Sequence, residues 1–298
     1  MDFVITLIAD PAKEPLTQAF VESMAPSLAL QDIVARKTAW LEKHIACDVF
    51  VTHENGAALG AHVQAIVADH PYDAVVQPVH NRPKKLLISD MDSTMITVEC
   101  IDELADFVGK KAEVSIITDR AMNGELNFES ALTERVALLK GLPVSVLEQC
   151  YDERVKMMPG AKKLVQTMRA NGAHAILVSG GFTFFTSRVR DALGFHEDFS
   201  NQLETENGLL TGKVIPPILG KEAKLQTLKN ACEKLGVSTE DVLAIGDGAN
   251  DLPMLLAAGL GVAYHAKPVV RAQARAQINH CDLSALGYVQ GIPFPSPS

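Results

Sequence analysis

Asp90-Met91-Asp92-Ser93 follows an apolar run, Leu86-Leu87-Ile88-Ser89, that reads as a buried strand. Two carboxylates two residues apart, just past a strand end, can face one cavity if the chain bends there. Such a pair offers hard oxygen ligands to Mg²⁺. One aspartate can then attack phosphorus while the other handles a proton. A lone Asp-x-Asp is also what a solvated loop contains, but here the arrangement recurs. Residues 174–178 form a second apolar run, followed at once by Ser179-Gly180-Gly181. Residues 242–245 form a third, followed by Gly246-Asp247-Gly248-Ala249-Asn250-Asp251.

Continuous apolar runs of this length suit strands covered on both faces, as in parallel sheets. Helical patterns separate them, which implies an α/β fold. In open sheets of that kind ligands bind outside the carboxyl ends of the strands. Asp90, Asp92, Ser179, Asp247, Asn250 and Asp251 all fall at such ends. Asp90, Asp92 and Asp247 are therefore candidate Mg²⁺ ligands, open to a phosphate oxygen. Ser179 and the backbone around Gly180 and Gly181 are candidates to hold phosphate, with a helix N-terminus expected from Phe182 onward. A cation is also needed. Lys221 and Lys224 both stand at the start of a helical pattern, and spacing does not choose between them.

These four pieces resemble, in order and spacing, the motifs of the haloacid dehalogenase (HAD) superfamily of phosphatases, over roughly residues 84–290. Within it the chain is similar to the phosphoserine phosphatases through Glu99, Phe128 and Arg135. Without the resemblance, Glu99 and Arg135 read as exposed helix charges and Phe128 as core. The resemblance implies that Glu99 meets a substrate ammonium, that Arg135 meets its carboxylate, and that Phe128 is an apolar lid. It picks Lys224 over Lys221, makes Asp90 the nucleophile and Asp92 the general acid and base, and brings Asp92 to the metal through its backbone carbonyl. Asp251 would orient the metal ligands, and Asn250 would help with phosphate or substrate. The implied activity is Mg²⁺-dependent hydrolysis of O-phospho-L-serine through an aspartyl-phosphate, the last step of serine biosynthesis. The rival readings are a phosphatase or phosphotransferase for another small phosphomonoester, and a non-catalytic amino-acid-sensing protein.

The chain has 298 residues, 47% apolar and 21% charged, enough for about two domains with ordinary cores. The net charge of −9 and the lack of a long basic run argue against nucleic acid as the main partner. Five scattered cysteines without a Cys-x-x-Cys pair suit reduced thiols in the cytoplasm. No apolar run approaches membrane-spanning length, and no P-loop is present.

Residues 2–8, 38–41, 47–52 and 74–77 read as strands, and 14–24 and 57–68 as helices. That order suggests a ferredoxin-like α+β domain over 1–80. It resembles the ACT-like domains that precede some phosphoserine phosphatases, which implies an amino-acid effector and a homodimer. The HAD-like Rossmannoid domain then spans 81–298, with a helical cap inserted over about 99–158. Because the motifs all lie after Arg82, the second domain is expected to fold and work without the first. Glu206-Asn207-Gly208 reads as a hairpin turn, Pro253 as the first turn of a helix and Gly259 as its end. The proline-rich tail 293–298 is expected to be disordered.

Overall fold

The computed structural model describes residues 1–292, so the expectation for the tail lies outside the described residues. The chain opens with β1 (Asp2–Ala9), α1 (Gln18–Ala29), β2 (Val34–Glu42), β3 (Ala46–Thr52), α2 (Gly56–Val67) and β4 (Tyr72–Pro78). The strands form one antiparallel sheet in the order β2-β3-β1-β4, as a ferredoxin-like unit requires. The first helix starts later than the pattern suggests. Thr17 caps it by accepting the Phe20 N–H at 3.1 Å, so residues 14–16 stay outside.

β1 is buried on both faces. Phe3, Ile5 and Leu7 share a core with Met24, Leu28, Leu59 and Val63 of the two helices. Ile8, with Ala46 and Val75, instead joins the core of the rest of the chain. Polar groups lock this second face. Arg82 holds both oxygens of Asp48, at 2.8 and 3.0 Å, and donates to the Tyr288 and Val289 carbonyls. The Asp73 carboxylate accepts the backbone N–H groups of Asn279, His280 and Cys281 at 2.7, 3.1 and 2.9 Å.

The remaining elements run β5 (Leu86–Ser89), α3 (Cys100–Asp106), α4 (Lys111–Met122), α5 (Phe128–Ala137), α6 (Ser145–Arg154), α7 (Ala161–Ala170) and β6 (His174–Phe182). There follow α8 (Thr183–Leu193), β7 (Glu197–Glu206), β8 (Leu209–Ile215), α9 (Lys221–Leu235), β9 (Val242–Gly246) and α10 (Leu252–Ala257). The last are β10 (Leu260–Tyr264), α11 (Pro268–Arg271), β11 (Ala276–Ile278) and α12 (Ala285–Val289). Seven strands form a sheet in the order β11-β10-β9-β5-β6-β7-β8. It is parallel except for β8, which returns through a hairpin whose Asn207 and Gly208 both have positive φ, 50° and 78°. That pair of dihedrals belongs to a type I′ turn. β5 lies at the centre between β9 and β6, and every residue in it is buried.

Helices α3–α6 stand off the sheet as a cap. Two crossing segments carry it: Thr97 donates to the Lys156 carbonyl and Met158 to the Met95 carbonyl, both at 2.9 Å. Backbone bonds from Gly141 to Leu210 and from Val144 to Gly208 tie its far side to the hairpin.

One local expectation changes, and a second gains a different reason. The Ser179-Gly180-Gly181 segment extends β6 through a register shift, and the next helix begins one residue later than expected, at Thr183. Gly259 does follow the end of α10, directly after the Ala258 cap, without a left-handed φ. It is small because a Cβ there would lie 2.4 Å from the Glu240 carbonyl oxygen.

Candidate active site

Asp90 continues the central ladder by donating its N–H to the Ile245 carbonyl at 3.0 Å. The chain then bends sharply. Met95 and Ile96 both donate to the Met91 carbonyl, and Ser93 takes a φ of 55°. That conformation is uncommon outside glycine and stores strain where the chain leaves the sheet for the cap. Asp90 and Asp92 thereby reach one cavity, which Glu99, Phe128, Arg135, Ser179, Gly180, Gly181 and Asn250 also line.

Of the two candidate lysines, Lys224 is the one that reaches this cluster. It is fully buried, and its Nζ lies 2.7 Å from Asp90 Oδ1 and 2.7 Å from Asp251 Oδ1. Lys221 is exposed and borders a separate cleft on the other side of Phe128. Asp251 spends its other oxygen on the N–H groups of Asp247 and Gly248 at 3.2 and 3.1 Å. Its carboxylate is thus largely committed within the protein. Asp247 is held by the Thr94 hydroxyl at 2.8 Å. Asp92 accepts the Cys100 N–H at 2.8 Å and the Ser179 hydroxyl at 3.2 Å.

The loop around Gly180 has no room for side chains. A Cβ on Gly180 would lie 2.4 Å from the Phe128 ring, and one on Gly181 would lie 2.7 Å from Asp92 Oδ2. Asn201, also buried, clamps this loop. It donates to the Gly180 carbonyl at 2.9 Å and accepts the Leu219 N–H at 2.7 Å. The cap supplies Phe128 against Gly180, Glu99 held by the Ser93 hydroxyl at 2.7 Å, and Arg135 bonded to Thr118 at 2.9 Å. The cavity between cap and sheet measures about 30 Å³, room for little more than a water or two.

Among the described residues, five carboxylates, Asp90, Asp92, Glu99, Asp247 and Asp251, gather around this site against the cations Lys224 and Arg135, with Lys267 acting on Asp247 and Glu99 from the rim. Burial, then the Asp251 charge, push Asp90 well above the usual carboxylate range. The same two causes raise Asp247 to about 7. Burial raises Asp92, and burial with the Asp92 charge raises Glu99 well above its ordinary value. Burial alone would lower Lys224, but Asp251 and Asp90 outweigh it and keep its charge. Such an excess of buried carboxylate suits a cation. Oxygens of Asp90, Asp247 and Asp251 lie within 4.8 Å of one another, a hard donor set that fits a divalent ion. Asn250 Oδ1 is buried without a partner, an acceptor that awaits a donor.

Every candidate residue except Lys221 thus falls in or beside one cleft. Four contributors were not anticipated: Thr94, Asn201, Thr118 and Met122. Thr94 lies two residues past the Asp-x-Asp motif and was open to notice. The other three give no local signal, since their partners lie elsewhere in the chain.

Residues 87–256 match the haloacid dehalogenase-like hydrolase family. A phosphoserine phosphatase from Polaromonas sp. is 50% identical over 207 residues, 68% of this chain and 88% of the relative. The chain belongs to the haloacid dehalogenase-like hydrolases. A solved HAD family hydrolase from Salmonella enterica serovar Typhi superposes on this one with a TM-score of 0.83 at 31% identity, covering 97% of this chain and 98% of the other. That match extends through the N-terminal sheet. A solved phospho-aspartyl intermediate analogue of phosphoserine phosphatase matches this hydrolase with a TM-score of 0.67 at 38% identity, over 70% of this chain and 99% of the other. The parallel sheet with its helical cap is therefore the HAD-like α/β fold.

Proposed function

We propose that this hydrolase converts O-phospho-L-serine to L-serine and phosphate, as the last step of serine biosynthesis. One observation carries the reading: a cap carboxylate, Glu99, and a cap guanidinium, Arg135, line one small cavity together with Asp90, Asp92 and Ser179. Phosphoserine presents an ammonium, a carboxylate and a phosphate, which these groups complement in turn. The names of the relatives support the same substrate.

In this reading Asp90 attacks phosphorus and forms an aspartyl-phosphate as the bond to the serine oxygen breaks. Lys224 fixes one oxygen of the attacking carboxylate and offsets charge on the transferring group. Ser179 and the Gly180 and Gly181 backbone hold the phosphoryl oxygens, in a loop too tight for a side chain. Asp92, whose pKa burial raises, is suited to carry the proton given to the departing serine oxygen. It then takes a proton from the water that cleaves the intermediate. A Mg²⁺ ion on Asp90, Asp247 and, by resemblance, the Asp92 carbonyl would supply positive charge to a phosphoryl oxygen, with Asp251 orienting that set. Phe128 seals the cavity, and Asn250 offers its unpaired acceptor to the ligand.

Buried, unpaired cysteines support a reducing, cytoplasmic setting, and among the described residues no helix is long and apolar enough to cross a membrane. An amino-acid effector on the N-terminal sheet domain and a homodimer complete the reading. Sedimentation with and without serine tests both.

The deciding measurement is phosphate release over a panel of phosphomonoesters, with Mg²⁺ and after exhaustive chelation. Phosphoserine is expected to lead the panel and chelation to abolish turnover. A different preferred ester would leave a phosphatase of another substrate. Transfer to added alcohols would mark a phosphotransferase, and no release from any ester would leave the sensing protein.

A further inference from the structure

Arg135 is an expensive residue to place where it stands. It is 3% exposed, and burial lowers its pKa despite the nearby Glu99, Asp102 and Asp92 charges. A buried guanidinium needs both a counter-charge and a fixed geometry. Inside the cap, its Nε donates to the Ala131 carbonyl at 3.1 Å and its Nη1 to the Thr118 hydroxyl at 2.9 Å. Thr118 is 2% exposed, and its hydroxyl lies 2.6 Å from Asp102 Oδ1 and 3.1 Å from the Val114 carbonyl. The hydroxyl has one proton. The shorter contact, to a carboxylate, takes it, so the oxygen is left to accept from Arg135. Asp102 is fixed in turn by the Ser115 hydroxyl at 2.7 Å. A chain results: guanidinium to hydroxyl to carboxylate, across α5, α4 and α3.

We infer that Thr118, backed by Asp102, is a positioning residue that aims Arg135 into the cavity and so sets discrimination for a carboxylate-bearing phosphoester. The inference rests on the phosphoserine reading. Two of the five guanidinium donors point back into the cap through this chain and Ala131, which leaves the remainder for a ligand carboxylate. Hydrogen bonds in such a chain polarise one another, so the Asp102 charge is felt at Arg135 through one hydroxyl. Removing that hydroxyl leaves the fork free to turn. It touches nothing that handles phosphorus.

The test compares Thr118→Val, Thr118→Ser and Arg135→Ala on phosphoserine and on phosphoethanolamine, which keeps the ammonium and phosphate but lacks the carboxylate. Thr118→Val preserves shape and removes the hydroxyl. It is expected to lower kcat/KM for phosphoserine about tenfold, mainly through KM, and to change phosphoethanolamine less than about twofold. Thr118→Ser restores the hydroxyl and is expected to stay within about threefold of the parent on both esters. Equal losses on the two esters in Thr118→Val, or no loss on either, would overturn the inference while Arg135→Ala still separates them. If Arg135→Ala itself fails to separate the esters, the phosphoserine reading falls, and this inference with it. Circular dichroism melts of each variant keep a folding defect apart from a lost contact.

Discussion

Asp90 stands at the point where a rigid strand stops and a strained turn begins, and Lys224 grips one of its oxygens. Asp90→Asn removes the attacking charge while keeping the shape. We expect loss of steady-state turnover with a normal far-ultraviolet spectrum, provided that mass analysis shows no deamidation. Substantial activity in a homogeneous preparation would remove Asp90 from the role. The carboxylate cluster around it also ties stability to pH. Asp247 binds its proton up to about 7 in the folded chain, against an ordinary value of 3.8. The folded state therefore holds more protons than the unfolded state between those values, and stability declines as pH rises through that window. In excess chelator the thermal midpoint is expected to fall from pH 5 to pH 8, for a loss of stability on the order of a few kcal/mol at most. Added Mg²⁺ should close much of the gap at the higher pH. A chelated protein that grows more stable over that range would contradict this account.

At the scale of elements, the sequence was readable where chemistry is local. Asp90, Asp92 and Asp247 could be found because each lies just past an apolar run that can only be a covered strand. Glu99 and Arg135 were legible only by resemblance, since a lone charge on a helix does not say which way the cap will turn it. Thr118 and Asp102 were hidden for a further reason: both belong to helices whose mutual packing exists only in the folded cap. Asn201 is the plainest case. It reads as an ordinary strand residue, yet it joins the Gly180 loop to the start of α9. Asn201→Ala leaves three half-buried backbone groups, the Gly180 and Leu219 carbonyls and the Leu219 N–H, without these partners and is expected to cost about 1–3 kcal/mol in urea unfolding. An unchanged midpoint would show that water replaces the clamp.

At the scale of the whole molecule, residues 2–8 read as a strand, but the sequence did not show that both its faces are covered or by what. The structure places residues 279–289 there. This changes the expectation for a truncation. Removing residues 1–80 strips Asp48 from Arg82 and Asp73 from three backbone N–H groups, and uncovers the core around Ile8, Ala46 and Val75. We expect the remainder to melt well below the full chain and to self-associate, while keeping its active-site residues. Equal melting midpoints for the two would mean that the interface contributes little.

The span of that interface has a consequence for manufacture in the cell. Asp73 meets partners 206–208 residues downstream, and Gln77 bonds the Val289 carbonyl, 212 residues away. At roughly 5–20 residues per second, the ribosome takes about 10–40 s to make that stretch. For that interval the first sheet is complete but one face is bare, with buried-to-be carboxylates beside apolar side chains. Codon choice between the two ends governs how long the bare face waits. Synonymous changes that slow translation there should lower the yield of well-folded protein without altering a single residue.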